Sequence, residues 1–565
     1  MSNNFRSIIF KKVIKPLQNK DNAYQHKILS QVYVRSIKEI DMYSFVVPTI
    51  TKDYNVNDEV QSIMKNDSEN IFDDIVINSN SIYFFIKRDK YTKAILESNH
   101  SDVAPPILVN NNKNIIVEFS SPNIAKPFHL GTLRSTITGN YVANLNSFLQ
   151  NKVKKMNYLG DWGTQFGFIQ VGLEIGNIDS KEIQANPINT LYKAYVSANK
   201  LAENDSTIRD RARKIFKQLE LEDDTILKNW QIFKNYTVQE LEKTYKRISV
   251  DFDEYHWESM YTAKNTQQII NLMEKMQLLK VDAQNKKVIP LNETRNIPIL
   301  KSDGSTLYIT RDIAAAIDRF EKNNFDSMYY VVDNAQTDHF SNLVQILKKM
   351  ELPWANRLKH IKFGRVRGMS TRKGTAVFLE DILNEARDIM RERQMHKHST
   401  KISLDETDNS SDILGVSGII IQNLKQNRMK DYEFNWDLIF NMKGDTGIKL
   451  QYTHCRLISL EQTSGATVIT ECDPSLLKEA EVDDLIMLIS QFDEVILKSY
   501  EKLEPCVLTA YLFKLSNAIN MAMHKLRIRG EPSDLGNQRL LLFNTAKVVF
   551  VQGMKLLGLT PLEKM

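Results

Sequence analysis

Apolar positions along the chain recur in two rhythms. Ile115, Ile116, Val117 and Phe119 form a nearly unbroken run that reads as a buried strand. Leu130, Leu133, Ile137, Tyr141, Leu145 and Phe148 then return at three- and four-residue spacing, one face of a helix. Val153, Met156 and Tyr158 follow as a second short strand. Strand, helix and strand within about 45 residues make a βαβ unit, so the sheet is expected to be parallel. Further strands are expected at Leu307–Ile309, Met328–Val332 and Ile361–Val366, with helices at Asp312–Phe320 and Gln336–Lys349 between them. This is the doubly wound pattern, which binds ligands at the carboxyl ends of its strands.

Two interruptions divide the pattern. Ser101–Asn112 (SDVAPPILVNNN) is a Pro and Asn cluster, and the segment before it ends in a strand-like SIYFFIKR. His396–Asp412 is polar, and beyond it the β signal fades into helical spacing. Ile448, Tyr452 and Leu457, then Leu485, Leu488, Phe492 and Ile496, then Leu540, Phe543, Val548 and Val551 carry that spacing. The expected organisation is a multidomain α/β protein with an N-terminal α+β appended domain over 21–105. A Rossmann-like doubly wound parallel-sheet domain with insertions follows over 106–405, and an all-α helix bundle over 406–565.

Composition narrows the class. The chain has 565 residues, 42% hydrophobic and 25% charged, which excludes collagen-like and wholly disordered proteins. Its net charge of +5 is too small for indiscriminate binding of polyanions, so any nucleic-acid surface must be local. Cys455, Cys472 and Cys506 are far apart, which argues against a disulfide framework or a cysteine zinc site. The apolar stretch Leu540–Leu559 is broken by Lys547, Gln552 and Lys555, so no membrane span is expected. Residues 1–20 carry Arg6, Lys11, Lys12, Lys15 and Lys20 and no acid, as in a mitochondrial presequence; a basic first helix of the folded domain is the other reading.

Candidate chemistry concentrates in two places. Glu118–Ser135 (EFSSPNIAKPFHLGTLRS) leads from a strand through Pro122 to a helix opened by His129-Leu130-Gly131-Thr132. A helix N-terminus offers unpaired N–H groups and a positive dipole end to a phosphate, and Gly131 lets a nucleotide approach the backbone. Lys362–Lys373 (KFGRVRGMSTRK) runs from a strand into a loop rich in cations, suited to closing over a triphosphate.

With these blocks in place, the chain resembles the class I aminoacyl-tRNA synthetases, and specifically the arginyl-tRNA synthetase family, from about residue 114 to Met565. Ser121–Gly131 resembles that family's HIGH-box region, and NYLGDWGTQFG (Asn157–Gly167) its following block. YITRDIAAA (Tyr308–Ala316) resembles its amino-acid pocket, and GMSTRKG (Gly368–Gly374) its KMSKS-equivalent loop. Phe434–Leu457 resembles the start of its anticodon-binding bundle. The length and basic start are most similar to mitochondrial members.

The resemblance implies an arginine–tRNA ligase acting in two steps, with ATP as substrate, Mg²⁺, and tRNA(Arg) and L-arginine as partners. It implies a matrix location (a cytoplasmic one is the alternative), a monomer, and a tRNA-contacting role for the appended domain. Glu258, Tyr308 and Asp312 would grip the guanidinium, a rigid fork of donors with no acceptor. Glu118, Ser120, Asn123, His129 and Gln336 would hold the rest of the amino acid. His129, Gly131, Thr132, Gly368, Met369, Ser370, Arg372 and Lys373 would meet ATP. Gln451, Tyr452, Arg456, Lys525, Arg527 and Arg529 would meet tRNA. Two departures stand out: Thr132 replaces the second histidine of the HIGH box, and Gly368 and Thr371 occupy the KMSKS lysine positions. Lys126 or Lys373 is expected to supply the missing cation. The departures also motivate a second reading, a catalytically weakened tRNA-binding or regulatory relative.

Overall fold

The computed structural model describes residues 32–37, 42–48, 70, 72–78, 81–106, 112–123, 128, 130–220, 223–261, 263–302, 304–368, 378–396, 404–441 and 444–565. The candidate presequence, Lys126, His129 and the loop residues Met369, Ser370, Arg372 and Lys373 lie outside them. Four antiparallel strands, β1 (Tyr33–Ile37), β2 (Met42–Pro48), β3 (Phe72–Ile77) and β4 (Ser81–Lys87), pair in the order β1-β2-β4-β3. The alternation in β4 turns Ile82, Phe84 and Ile86 inward, and the helix Arg88–Asn99 buries Tyr91, Ile95 and Leu96 against them. This is the α+β appended domain that its sequence implies.

The central sheet is parallel and doubly wound. β5 (Asn114–Glu118), β6 (Lys152–Leu159), β7 (Glu254–Trp257), β11 (Ser327–Asp333) and β12 (Leu358–Phe363) lie in the order β12-β11-β5-β6-β7. A separate antiparallel sheet, β8 (Lys280–Val281), β9 (Lys287–Pro290) and β10 (Asn296–Leu300), is inserted before β11. Chain order reverses between β5 and β11, so the crevice that such a fold offers to a ligand opens there. The helix Leu130–Phe148 crosses β5 at close range: a Cβ on Gly139 would lie 2.2 Å from the Cβ of Phe119. Only glycine permits that approach.

Sequence reading and structure part in three places. Leu307–Ile309 is not a strand: the helix starts at Tyr308 and runs to Asn323, because Ile309, Ile313 and Ala316 form one buried helical stripe that outweighs the β-branched start. The strand expected to reach Val366 stops at Phe363. Gly364 abuts the 429–431 turn, where a Cβ would stand 2.7 Å from the Asp431 carboxylate and the Met429 carbonyl. Finally, β14 (Tyr432–Glu433) pairs in parallel with β13 (Val366–Arg367), a trace of sheet where only helix is expected.

The polar stretch His396–Asp412 gives way at Leu404 to a helix ending at Leu424, which packs on Leu379–Met395. The remaining chain is a helix bundle: Gly447–Thr463, Ala480–Ser490, Phe492–Lys502, Pro505–Lys525 and Ser533–Leu556. The appended domain docks on this bundle through Asp483, which accepts from Tyr43 Oη at 2.8 Å and from Arg88 Nε at 2.9 Å. Among the described residues no helix is long and apolar enough to cross a membrane, and all three cysteines are free thiols.

Gly139→Ala forces a methyl into Phe119 and should destabilise the protein by about 1–3 kcal/mol, as overpacking does. The check is a lower midpoint of urea unfolding; an unchanged midpoint would mean that the helix can move off β5.

Candidate active site

The carboxyl end of β5 delivers Glu118 into the crevice, where it is 3% exposed. Its Oε2 accepts from Arg319 Nη1 at 2.5 Å, and Arg319 is itself 1% exposed on the Tyr308–Asn323 helix. The Arg319 guanidinium also lies 4.6 Å from the centre of the Tyr158 ring. Burial raises the Glu118 carboxyl and Arg319 counters it; an isolated charge of either sign here would be far costlier than the pair.

Just past Glu118 the backbone is strained. Ser120 and Ser121 both adopt left-handed conformations, at φ 73° and 46°, although neither is glycine. Cross-links hold them: Ser120 N–H donates to Ser135 Oγ at 2.9 Å and Ser121 N–H to Asn157 Oδ1 at 3.0 Å. The Ser120 hydroxyl is 2.7 Å from Tyr245 Oη and accepts from Thr136 Oγ1 at 2.8 Å. Ser120 is therefore not a ligand-facing hydroxyl, contrary to the sequence expectation; it fastens the turn. Asn123 bridges to Gly160, its amide set against the bare glycine backbone. On the first turn of the next helix, Gly131 is half-buried and Thr132 is 6% exposed.

The opposite wall comes from β7 and the Tyr308–Asn323 helix. Glu258 opens a 3₁₀ turn, half-buried, and its carboxyl is pushed up to about 7. Burial is the main cause, Arg311 opposes it, and Asp312 and Asp161 add to it. Tyr308 is 63% exposed, with the Arg311 guanidinium 4.8 Å from its ring centre. Asp312 Oδ2 accepts from His339 Nε2 at 2.6 Å. Asp161, after β6, is fully buried with Lys234 Nζ 3.0 Å away. Gln336 is exposed in the turn after β11.

The structure thus brings Glu118, Glu258, Tyr308 and Asp312 to one crevice, and Asp312 is close enough to raise both Glu118 and Glu258. Glu118 and Asp161 carry their own dry cations, Arg319 and Lys234. Glu258 and Asp312 face the crevice's partly exposed side groups, Arg311 and His339. Such a site attracts a cationic, donor-rich ligand that can replace those weaker partners. Sequence reasoning missed Arg319, Asp161, Lys234, Arg311 and His339. A signal for Arg319 existed: it stands seven positions after Asp312, on the same helical stripe.

Gly368 has φ 70°, with nothing among the described residues within 4 Å of a built Cβ. A lysine there would adopt a left-handed backbone that glycine takes without strain. On the bundle, Tyr452 is 45% exposed and not a core residue; Arg456 lies 5.8 Å from its ring centre and donates to Asn520. Lys525, Arg527 and Arg529 are exposed. Gln451 corrects the sequence reading. It is 0% exposed, donates from Nε2 to Ser417 Oγ and Thr560 O, and accepts from the Leu562 N–H, so nothing of its amide is left for RNA.

Comparison with known proteins agrees with this geometry. Residues 93–436 match the family model for the catalytic domain of class I (R) tRNA synthetases, and 450–565 match the DALR anticodon binding domain. A probable mitochondrial arginine–tRNA ligase of Mus musculus is 37% identical over 556 residues, covering 95% of this chain and 96% of its own. The mitochondrial arginine–tRNA ligase of Saccharomyces cerevisiae is 40% identical, with 80% and 72% covered. In fold, the chain is similar to the arginyl-tRNA synthetase of Thermus thermophilus, at TM-score 0.80 and 18% identity with 100% of each chain covered. The Plasmodium falciparum structure of that name gives TM-score 0.76 at 23% identity, covering 100% of this chain and 98% of the other.

Arg319→Met leaves Glu118 buried without its counter-charge and should cost about 3–5 kcal/mol. Glu118→Gln in the same background should restore part of it. Urea unfolding of the single and double variants checks this; additive losses would contradict the pairing.

Proposed function

The chain belongs to the arginyl-tRNA synthetase family, and from that membership we propose that it joins L-arginine to tRNA(Arg) at the expense of ATP, in mitochondria. Relatives named mitochondrial match it across nearly its whole length, in keeping with the acid-free first twenty residues. The observation that carries the reading is the carboxylate cluster. Glu258, pushed up to about 7 mainly by burial, and Asp312, one helical turn from Tyr308, have only the partly exposed Arg311 and His339 as partners, which a cationic ligand can replace. A guanidinium supplies a cation with five donors in a rigid fork and needs acceptors only.

In the first step the arginine carboxylate attacks the α-phosphate of ATP in line, forming arginyl-adenylate and releasing pyrophosphate. In the second, the terminal ribose hydroxyl of tRNA attacks the acyl carbon and AMP leaves. The protein's part is positioning and charge stabilisation rather than covalent chemistry. Asp312, Glu258 and Tyr308 hold the guanidinium, while Glu118, Asn123 and Gln336 order the amino-acid end. By the family resemblance, His129, Gly131 and Thr132 meet the nucleotide, as do Gly368, Met369, Ser370, Arg372 and Lys373. Lys126 or Lys373 meets the charge that grows on the departing pyrophosphate. Among the described residues no three His, Cys, Asp or Glu side chains group to hold a metal. Mg²⁺ would neutralise charge on the phosphates of ATP.

Tyr452, Arg456, Lys525, Arg527 and Arg529 form the RNA face of the bundle: an aromatic ring stacks on an unpaired base while cations meet phosphate. The appended domain adds a further tRNA contact, and the enzyme works as a monomer. No observation favours the weakened relative, since the pocket carboxylates are all in place.

The defining experiment is arginine-dependent ATP–pyrophosphate exchange, with and without tRNA. Exchange with tRNA present supports the reading; none under either condition refutes it. The Glu258 carboxyl adds a pH signature. A bound guanidinium favours its ionised form, so below about pH 7 binding must first expel a proton. Arginine affinity should therefore rise as pH rises towards 7, by up to about tenfold per unit, and level off above it. Calorimetry at pH 7 in buffers of different ionisation enthalpy should show net proton release in wild type and none in Glu258→Gln. Equal release in both would assign the proton elsewhere.

A further inference from the structure

Glu258 sits in a poor place for a selectivity residue. Its 3₁₀ turn, Glu258–Met260, is three residues long, and its carbonyl accepts one backbone bond, from Tyr261 N–H at 3.1 Å. So short a turn has no ladder of its own to fix a side chain to within the fraction of an ångström that discrimination demands. The needed rigidity must come from outside the turn.

It comes from one buried ion pair that holds both neighbours of Glu258. On one side, Ser259 donates its N–H to Asp161 Oδ1 at 2.9 Å and its hydroxyl to Asp161 Oδ2 at 2.6 Å. Asp161 is 0% exposed, and Lys234 Nζ meets the same Oδ2 at 3.0 Å. On the other side, Lys234 Nζ lies 3.7 Å from the centre of the Trp257 ring, the residue immediately before Glu258. The ammonium is closed off by Trp230, 4.0 Å away, whose Nε1–H donates to the Asp161 carbonyl at 3.1 Å. Lys234 stands on the helix Asp224–Arg247, in the segment inserted between β6 and β7.

We propose that Asp161 and Lys234 act as a positioning pair that sets Glu258 against the guanidinium and so determines how well arginine is held. The proposal rests on the functional reading above and deepens it. A buried ion pair is a weak source of stability, since apolar residues of like volume commonly do as well. What this pair supplies is geometry: a carboxylate that takes two bonds from one flanking residue, and an ammonium placed on the face of the other. Neither group needs to touch the substrate.

The test is ATP–pyrophosphate exchange by the full-length protein with tRNA present, reading the arginine KM, the ATP KM and kcat separately for Asp161→Asn, Lys234→Met, Lys234→Arg and the Asp161→Asn/Lys234→Met double variant. Asp161→Asn should raise the arginine KM on the order of tenfold, as loss of a charge-assisted bond does, and leave the ATP KM within about twofold. Lys234→Arg keeps the cation and should fall between wild type and Lys234→Met. The double variant removes both charges, so it should fold even if Lys234→Met does not, yet keep the raised arginine KM. Ser259→Ala, which deletes one hydroxyl, should raise the arginine KM by a smaller factor and provides a test free of buried charge. A wild-type arginine KM in the double variant would reduce the pair to two mutually compensating charges and overturn the proposal. So would parallel rises in the arginine and ATP KM values. Failure of the functional reading is distinguishable, because wild type itself would then show no arginine-dependent exchange, which removes both claims.

Discussion

The crevice depends on keeping several carboxylates dry within reach of one another, and the Glu118–Arg319 ion pair is what makes that possible. Like charges in a poorly solvated site repel, and each must be paired, protonated or left facing solvent. Here Arg319 neutralises Glu118 at the switch point of the sheet, and Lys234 neutralises Asp161 at its rim. With those two accounted for, Glu258 and Asp312 are left with the partly exposed Arg311 and His339 as partners, which under the proposed function a cationic substrate would replace. The same pair ties the end of β5 to the helix that carries Tyr308 and Asp312. The geometry of the pocket and its electrostatics therefore share one anchor.

A second arginine joins the catalytic domain to the bundle. Arg134, 2% exposed on the Leu130–Phe148 helix, donates to the carbonyls of Gly364, Asn427, Arg428 and Lys430. Its guanidinium so fixes the turn that pairs, through Asp431, with Arg365 N–H at 2.7 Å and Arg367 at 2.9 Å. Arg428 N–H in turn donates to Glu504 at the head of the Pro505–Lys525 helix, which also carries Asn520 beside Arg456. A chain of polar contacts, several of them part-buried, thus links the Leu130–Phe148 helix to the helices of the DALR-type bundle. For an enzyme that handles a small substrate and an RNA at once, that path keeps the two halves in register.

Much of this was legible in the sequence, for identifiable reasons. The β5–helix–β6 unit announced itself because a strand buried on both faces must be apolar throughout, and a helix on it must repeat near 3.6. Tyr308 and Asp312, named together by the family resemblance, lie one helical turn apart, although the apolar pattern suggests a strand at Leu307–Ile309. What stayed hidden was whatever depends on distant partners. Helical spacing puts Arg319 on the stripe of Asp312, but its partner Glu118, 201 positions away, is set only by the fold. Gln451 lies in the block that resembles the start of the anticodon-binding bundle, yet Thr560 and Leu562 land on it and take up its amide. Ser120 sits in a signature segment, but two left-handed residues need fastening, and its hydroxyl is spent there.

The central claim is that selectivity is electrostatic: the pocket favours arginine because a guanidinium can take over Glu258 and Asp312 from the partly exposed Arg311 and His339. Citrulline, neutral and nearly the same shape, separates charge from fit. The decisive measurement is the ratio of kcat/KM for arginine over citrulline in aminoacylation of tRNA(Arg), in wild type and in Asp312→Asn. The account predicts rejection of citrulline by at least about a thousandfold in wild type, and a loss of roughly 3–5 kcal/mol in arginine recognition in the variant. A near-normal arginine KM in Asp312→Asn, or ready use of citrulline by wild type, would contradict it.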